Sequence, residues 1–290
     1  MEWRIFIPLL TSTDNSWIPD ELFATYSNNI ENVVKEFGRD TDDSRIDEYL
    51  VCDSNIGIKY RNKSKLEVKI RNQICNTPPG AELWTKQKYG KKGLAHYQND
   101  IVNMISNLLS EGERYQHMFN SLPSSSSPSS LVRVQKHRRK QHVSNTSLTT
   151  EICYLSLLSP APSSLSLFSS NIHKQCDINE LSTSGTQLST TTTRQWLSIA
   201  VEGESSFLSS YLQECSSLEC LWTTIATCLD IVELGRERKR EMNFLPVFSG
   251  YPQWIEVVME RTTEREREKQ IEIANNVLEF VHYPWKDVEG

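Results

Sequence analysis

Between Lys65 and Arg71 the chain alternates without interruption, with Leu66, Val68 and Ile70 on one parity and Glu67, Lys69 and Arg71 on the other. Successive side chains of a strand point to opposite faces, so the pattern predicts a strand with one apolar and one ionised face. The pattern recurs. Glu2 and Arg4 alternate with Trp3, Ile5 and Ile7, Lys59 and Arg61 with Ile58 and Tyr60, and Glu82, Trp84, Lys86 and Lys88 share one face of the segment Ala81 to Lys88. Near residue 200, Leu197, Ile199 and Val201 oppose Ser198, Glu202 and Glu204. A sheet of such strands either lies open with its charges in water or closes with the charges inside. Closure around charge makes sense where the interior is wet and holds something charged.

Other periods place the remaining elements. Leu22, Phe23, Tyr26, Ile30, Val33, Val34 and Phe37 recur at helical spacing and predict a helix from about Asp20 to Phe37. Short strands with Asn and Asp turns, near Arg45 to Cys52 and Ile56 to Arg61, read as an antiparallel meander. A second helix is expected from about Leu94 to Leu109. Leu131 to His142 is a strand that is basic on both faces: Arg133, His137 and Arg139 share one parity, Lys136, Arg138 and Lys140 the other. Glu151 to Leu155 is another strand. Ser121 to Ser130 and Ser159 to Thr193 are Ser-rich or Thr-rich with little to bury, and are read as low-complexity insertions. After Glu204 the chain turns helical, over Phe207 to Leu234. Beyond a break at Gly250-Tyr251-Pro252, one charged helix is expected over Trp254 to Val281, its middle, Glu260 to Lys269, projecting into solvent.

Strands therefore begin near residues 2, 45, 56, 65, 81, 131, 149 and 195. The expected fold is α+β: an antiparallel eight-stranded closed or nearly closed β-tunnel with flanking helices. We expect one domain, residues 1–290, with insertions at about 121–130 and 159–193 and a helical region at about 205–285.

Composition narrows the function. The chain has 290 residues, 38% hydrophobic and 23% charged, with net charge −6, as a soluble globular protein would. The acidic balance argues against binding nucleic acid through overall charge, while leaving room for a locally basic pocket. No apolar run approaches the ~18 residues that span a bilayer, and no secretory signal is evident, so a cytoplasmic location without membrane contact is expected. Seven scattered cysteines without a C-x-x-C pair fit a reducing compartment. No P-loop, dinucleotide-binding glycine pattern, zinc motif or G-x-S-x-G is present.

Several motifs resemble those of the triphosphate tunnel metalloenzymes, also called CYTH proteins. Glu2-Trp3-Arg4 stands where that family has its first charged strand, followed by Asp47-x-Tyr49, Lys69-x-Arg71, Trp84-x-Lys86, the basic strand Arg133 to Arg139, Glu151 and Glu202-x-Glu204. Gly250-Tyr251-Pro252 looks like the family's Tyr-Pro turn. The family's first strand reads Glu-x-Glu-x-Lys, whereas this chain has Glu2-x-Arg4-x-Phe6. The resemblance implies a divalent-metal-dependent phosphohydrolase acting on triphosphate or a related polyphosphate compound. Its substrate phosphates would be gripped by Arg4, Lys59, Arg61, Lys69, Arg71, Lys86, Arg133 and Arg139, because Arg holds phosphate oxygens in a bidentate fork. Mg or Mn would be held by Glu2, Glu67, Glu151, Glu202 and Glu204 and would activate water, with no protein nucleophile. The alternative is a non-catalytic tunnel binding phosphorylated ligands or a protein partner.

Overall fold

The computed structural model describes residues 1–10, 17–37, 43–61, 65–90, 94–108, 131–158, 195–238, 245–259 and 263–284. The regions expected to be insertions, 121–130 and 159–193, lie outside the described residues. Among the described residues nine strands form one sheet: β1 (Glu2–Leu9), β2 (Asp43–Asp53), β3 (Ile56–Arg61), β4 (Lys65–Asn76), β5 (Pro79–Lys88), β6 (Leu131–His142), β7 (Thr149–Leu158), β8 (Gln195–Glu202) and the short β9 (Val247–Phe248). Six α-helices accompany them among the described residues: α1 (Asp20–Phe37), α2 (Leu94–Leu108), α3 (Ser205–Glu214), α4 (Glu219–Glu237), α5 (Tyr251–Val258) and α6 (Glu264–Phe280). All strand pairs are antiparallel, in the order β5-β4-β3-β2-β6-β7-β8-β1. Pairing of Glu2 and Trp3 with Glu82 and Ala81 joins β1 to β5 and closes an eight-stranded barrel. The expected tunnel architecture is present, and closure removes the exposed edges that an open sheet would carry.

The outer face of the barrel is apolar and carries two helical layers. Trp3, Ile5, Ile7, Leu197, Ile199 and Val201 pack beneath α1, α3, α4 and α6, through Tyr26, Val33, Leu208, Leu221, Trp222, Ile225 and Leu278. On the opposite side Leu50, Ile56, Ile58, Leu66, Val68 and Ile70 meet Ile101, Val102 and Ile105 of α2. The apolar residues of the alternating strands thus lie outside under helices, and their ionised partners face inward. Among the described residues no single helix is long and apolar enough to cross a membrane.

The interior is divided along the barrel axis. Phe6, Tyr49, Val132, Val134, Cys153, Leu155 and Trp196 fill one half together with Trp254 and Ile255 of α5. Trp254 stacks on Phe6, with ring centroids 4.9 Å apart and planes 10° apart, and meets the edge of Trp196 at 6.1 Å. This helix is a plug. It enters through two close approaches. A Cβ on Gly57 would sit 3.0 Å from the Pro252 ring, and one on Gly250 only 2.6 Å from the Trp84 indole, so neither site has room for a side chain.

The C-terminal region differs from expectation. The single helix expected over Trp254 to Val281 is two. Thr263 starts α6 as a capping box: its side chain accepts from the Glu266 amide while the Glu266 carboxylate accepts from the Thr263 amide. Trp254, expected to begin that charged helix, is fully buried at the barrel centre, its indole stacked on Phe6.

Candidate functional site

Beyond the plug, the inner faces of five strands run from apolar to charged. Phe6 gives way to Arg4 and Glu2 on β1, Leu155 and Cys153 to Glu151 on β7, Trp196 to Ser198 and Glu202 on β8, Val132 and Val134 to Lys136, Arg138 and Lys140 on β6, and Tyr49 to Asp47 and Arg45 on β2. Gly57, Lys59 and Arg61 of β3, Glu67 and Lys69 of β4 and Trp84 and Lys86 of β5 complete a cavity of about 580 Å³, counted out to its mouth. Tyr251 is its floor, with the Lys136 ammonium 3.3 Å and the Arg4 guanidinium 4.9 Å from the ring centroid. Arg61, Lys86, Lys140 and Glu202 are partly exposed and form the rim.

The cavity is strongly biased in sign. Arg4, Arg45, Lys59, Arg61, Lys69, Lys86, Arg138 and Lys140 line it against Glu2, Glu67, Glu151 and Glu202, eight basic side chains to four acidic. The whole chain carries net charge −6, so this positive excess is local.

Each deep carboxylate is surrounded. Arg4 donates from Nε to Glu2 at 2.7 Å, from Nη2 to Glu151 at 3.0 Å and from Nη1 to the Ser198 hydroxyl at 2.9 Å. The second Glu2 oxygen accepts from Lys69 at 2.8 Å, and that of Glu151 faces Arg138 and Lys140, each at 3.4 Å. Glu67 faces Lys59 at 2.9 Å, Arg61 at 3.2 Å and Lys86 at 3.3 Å. Deeper still, Asp47 lies 3.2 Å from both Arg45 and Lys136. Lys136 also donates to the Tyr49 hydroxyl at 2.5 Å.

These surroundings perturb the ionisations. Burial works against the charged form of Glu2 and Glu151, but Lys69 and Arg4 hold Glu2, and Arg4 with Lys140 holds Glu151, well below the ordinary carboxylate range. Glu67, likewise opposed by burial, is held at about 2 by Lys59 and Lys86. Burial pushes Lys59 down to about 8 in spite of Glu67 and Asp47, and lowers Lys136 and Lys86 as well. Lys69, by contrast, is raised in spite of burial, because Glu2 is beside it.

Of the residues expected in the site, Glu2, Arg4, Lys59, Arg61, Glu67, Lys69, Lys86, Glu151 and Glu202 line this cavity. Arg71 is buried below it, clamped to Glu82 at 2.6 Å and to the Asn55 side chain at 2.7 Å. Glu82 also accepts from the Gly250 amide at 2.7 Å, so Arg71 and Glu82 together anchor the plug. Three expectations are corrected. Arg133 and Arg139 lie on the outer parity of β6, where Arg133 meets Glu48 at 3.5 Å, and Glu204 is an exposed residue before α3. The parity was misassigned because Val132 and Val134, whose apolar character suggests an outward face, point into the plugged half of the interior. Arg45, Lys136, Arg138 and Lys140 are the basic residues that the expectation missed. The run Val132, Val134, Lys136, Arg138, Lys140 on one parity was the available signal.

The residues present do not fit a divalent ion. Two carboxylates that could share one, Glu2 and Glu151, are bridged by the Arg4 guanidinium, and their remaining oxygens face Lys69, Arg138 and Lys140. Among the described residues no group of three His, Cys, Asp or Glu side chains could hold a metal. Comparisons of the chain with family models, with curated proteins and with solved structures gave no match. The likeness to the tunnel metalloenzymes therefore rests on the sequence motifs.

Proposed function

We propose that the charged half of the barrel binds the phosphate end of a small molecule bearing a polyphosphate, and that the chain acts as a binding protein. The observation that carries this reading is the eight-to-four excess of basic over acidic side chains around one cavity. A triphosphate ester has about four negative charges near neutral pH, one per phosphate and a second on the terminal group that titrates near pH 6. The excess among the lining residues is of the order of the ligand charge, and Asp43 and Asp47 behind them pair with Arg45, Arg138 and Lys136. Arg61, Lys86, Arg138 and Lys140, at or near the rim, would meet the anion first. Arg138, whose terminal nitrogens donate to Asp43 and Glu151, would turn its planar fork to phosphate oxygens by exchanging those partners. The deeper Lys59 and Lys69 would exchange part of their pairing with Glu67 and Glu2 for phosphate.

Phosphoanhydride hydrolysis, which the resemblance implies, would require a divalent ion held by carboxylates, and the donor set here is committed to lysine and arginine. Binding is therefore the reading the geometry supports best. Calorimetric titration with tripolyphosphate, thiamine triphosphate and nucleoside triphosphates, beside a phosphate-release assay with and without Mg or Mn, tests it. Saturable binding without phosphate release is expected. Divalent-dependent release would replace this reading with the hydrolase, and no binding by any polyphosphate would remove both.

A further inference from the structure

We infer that Arg4 is a built-in counter-ion, occupying the place between Glu2 and Glu151 that a divalent ion would need, so that the pocket takes its polyphosphate free of metal. The inference rests on the binding function proposed above and specifies the ionic form of the ligand.

The geometry is that of a cation site already filled. All three guanidinium nitrogens of Arg4 are engaged, by Glu2, Glu151 and Ser198, and the side chain is 4% exposed. A metal ion could reach both carboxylates only by displacing this group, and removing the partners of a buried charge is strongly destabilising. The contact with Tyr251 fixes the guanidinium plane further, since the ring face attracts the cation. Unlike a metal, Arg4 cannot leave with the ligand.

Charge then selects the ligand. Coulomb attraction scales with ligand charge, and a divalent ion cancels about half that of a triphosphate. An excess of four basic groups attracts the metal-free anion more than the metal complex. Many proteins that take polyphosphates use the metal complex; this cavity is built for the other form.

The test is a titration of the full-length protein with tripolyphosphate in EDTA, and again with Mg in excess, in each case at constant ionic strength. Binding in EDTA is expected, weakening about tenfold or more when Mg complexes the ligand. Arg4→Gln, checked for a cooperative melt, should weaken metal-free binding and acquire stabilisation by Mn alone, because the one oxygen of Glu2 and the one of Glu151 that face Arg4 are released while the others stay with Lys69, Arg138 and Lys140. Arg4→Lys, retaining a cation, should keep part of the metal-free binding. Binding that appears only with Mg would overturn the inference while leaving the binding reading intact. Failure of tripolyphosphate to bind under either condition would overturn that reading, and this inference with it.

Discussion

Lys59 allows the ligand reading to be tested by pH alone. Its ammonium, 2.9 Å from Glu67 and 3.8 Å from Asp47, is held by burial at about 8 against an ordinary 10.5. About nine in ten molecules therefore carry a charged Lys59 at pH 7 and about one in ten at pH 9. If the anion requires the charged form, its apparent affinity falls about tenfold over that interval, in proportion to the competent fraction. The ligand's own ionisation works the other way, adding negative charge as pH rises, so a fall reports the protein. Stability should move oppositely. The folded state surrenders this proton at about 8 and the unfolded chain at 10.5, so unfolding takes up a proton between them, and stability rises with pH across that window. Relative to Lys59→Met, the rise is on the order of 3 kcal/mol over the whole window and on the order of 1 kcal/mol between pH 7 and 9. Calorimetry at pH 8 in buffers of different ionisation enthalpy should show uptake of about half a proton per ligand bound, and urea melts at pH 7 and 9 should show the opposite trend in stability. An affinity unchanged from pH 7 to 9, or a Lys59→Met variant with the wild-type pH profile, would refute the reasoning.

The strand parity of β6 is tested by two neighbouring substitutions: Arg138→Ala should weaken polyphosphate binding by about 1.5–3 kcal/mol, the worth of a charge-assisted hydrogen bond, whereas Arg139→Ala should leave it unchanged in the same titration. Equal losses at both positions would show that binding follows general surface charge and not this cavity. Trp254→Ala removes the fully buried indole stacked on Phe6 and should cost about 3–5 kcal/mol in urea unfolding. A loss below about 1 kcal/mol, the usual range for substitutions away from the core, would mean that the plug contributes little to the barrel.

The fold was legible wherever one face of an element meets a uniform environment. The span of α1 is legible because one stripe, from Tyr26 to Val33, is buried in a single core against α4, and that of β4 because Leu66, Val68 and Ile70 all lie under α2. The eight barrel strands begin within two residues of the positions expected. Legibility failed where the environment changes along an element. On β6 the inner face begins in the apolar half and ends in the charged half, so alternation between apolar and ionised residues does not reveal which parity faces in. Tyr251 and Trp254 gave no sign of lying inside a barrel because a plug is defined by residues far away in sequence: Phe6, Tyr49 and Trp196. Thr263 and Glu266, by contrast, carried a readable helix start in the middle of an apparently continuous charged run.

The plug also decides how a ligand must be oriented. Among the described residues, Tyr251 lies across the floor of the charged space with Phe6, Trp196 and Trp254 packed behind it, which closes that end. A linear polyanion cannot be threaded through such a space and held by its middle. It must be inserted end first, with any organic group left at the doorway beside Arg61, Lys86 and Lys140. The barrel would thus distinguish a chain terminus from an internal stretch, and would be indifferent to what hangs outside. Long polymers and short esters would then present the same grip to it, and would depart by the route they came.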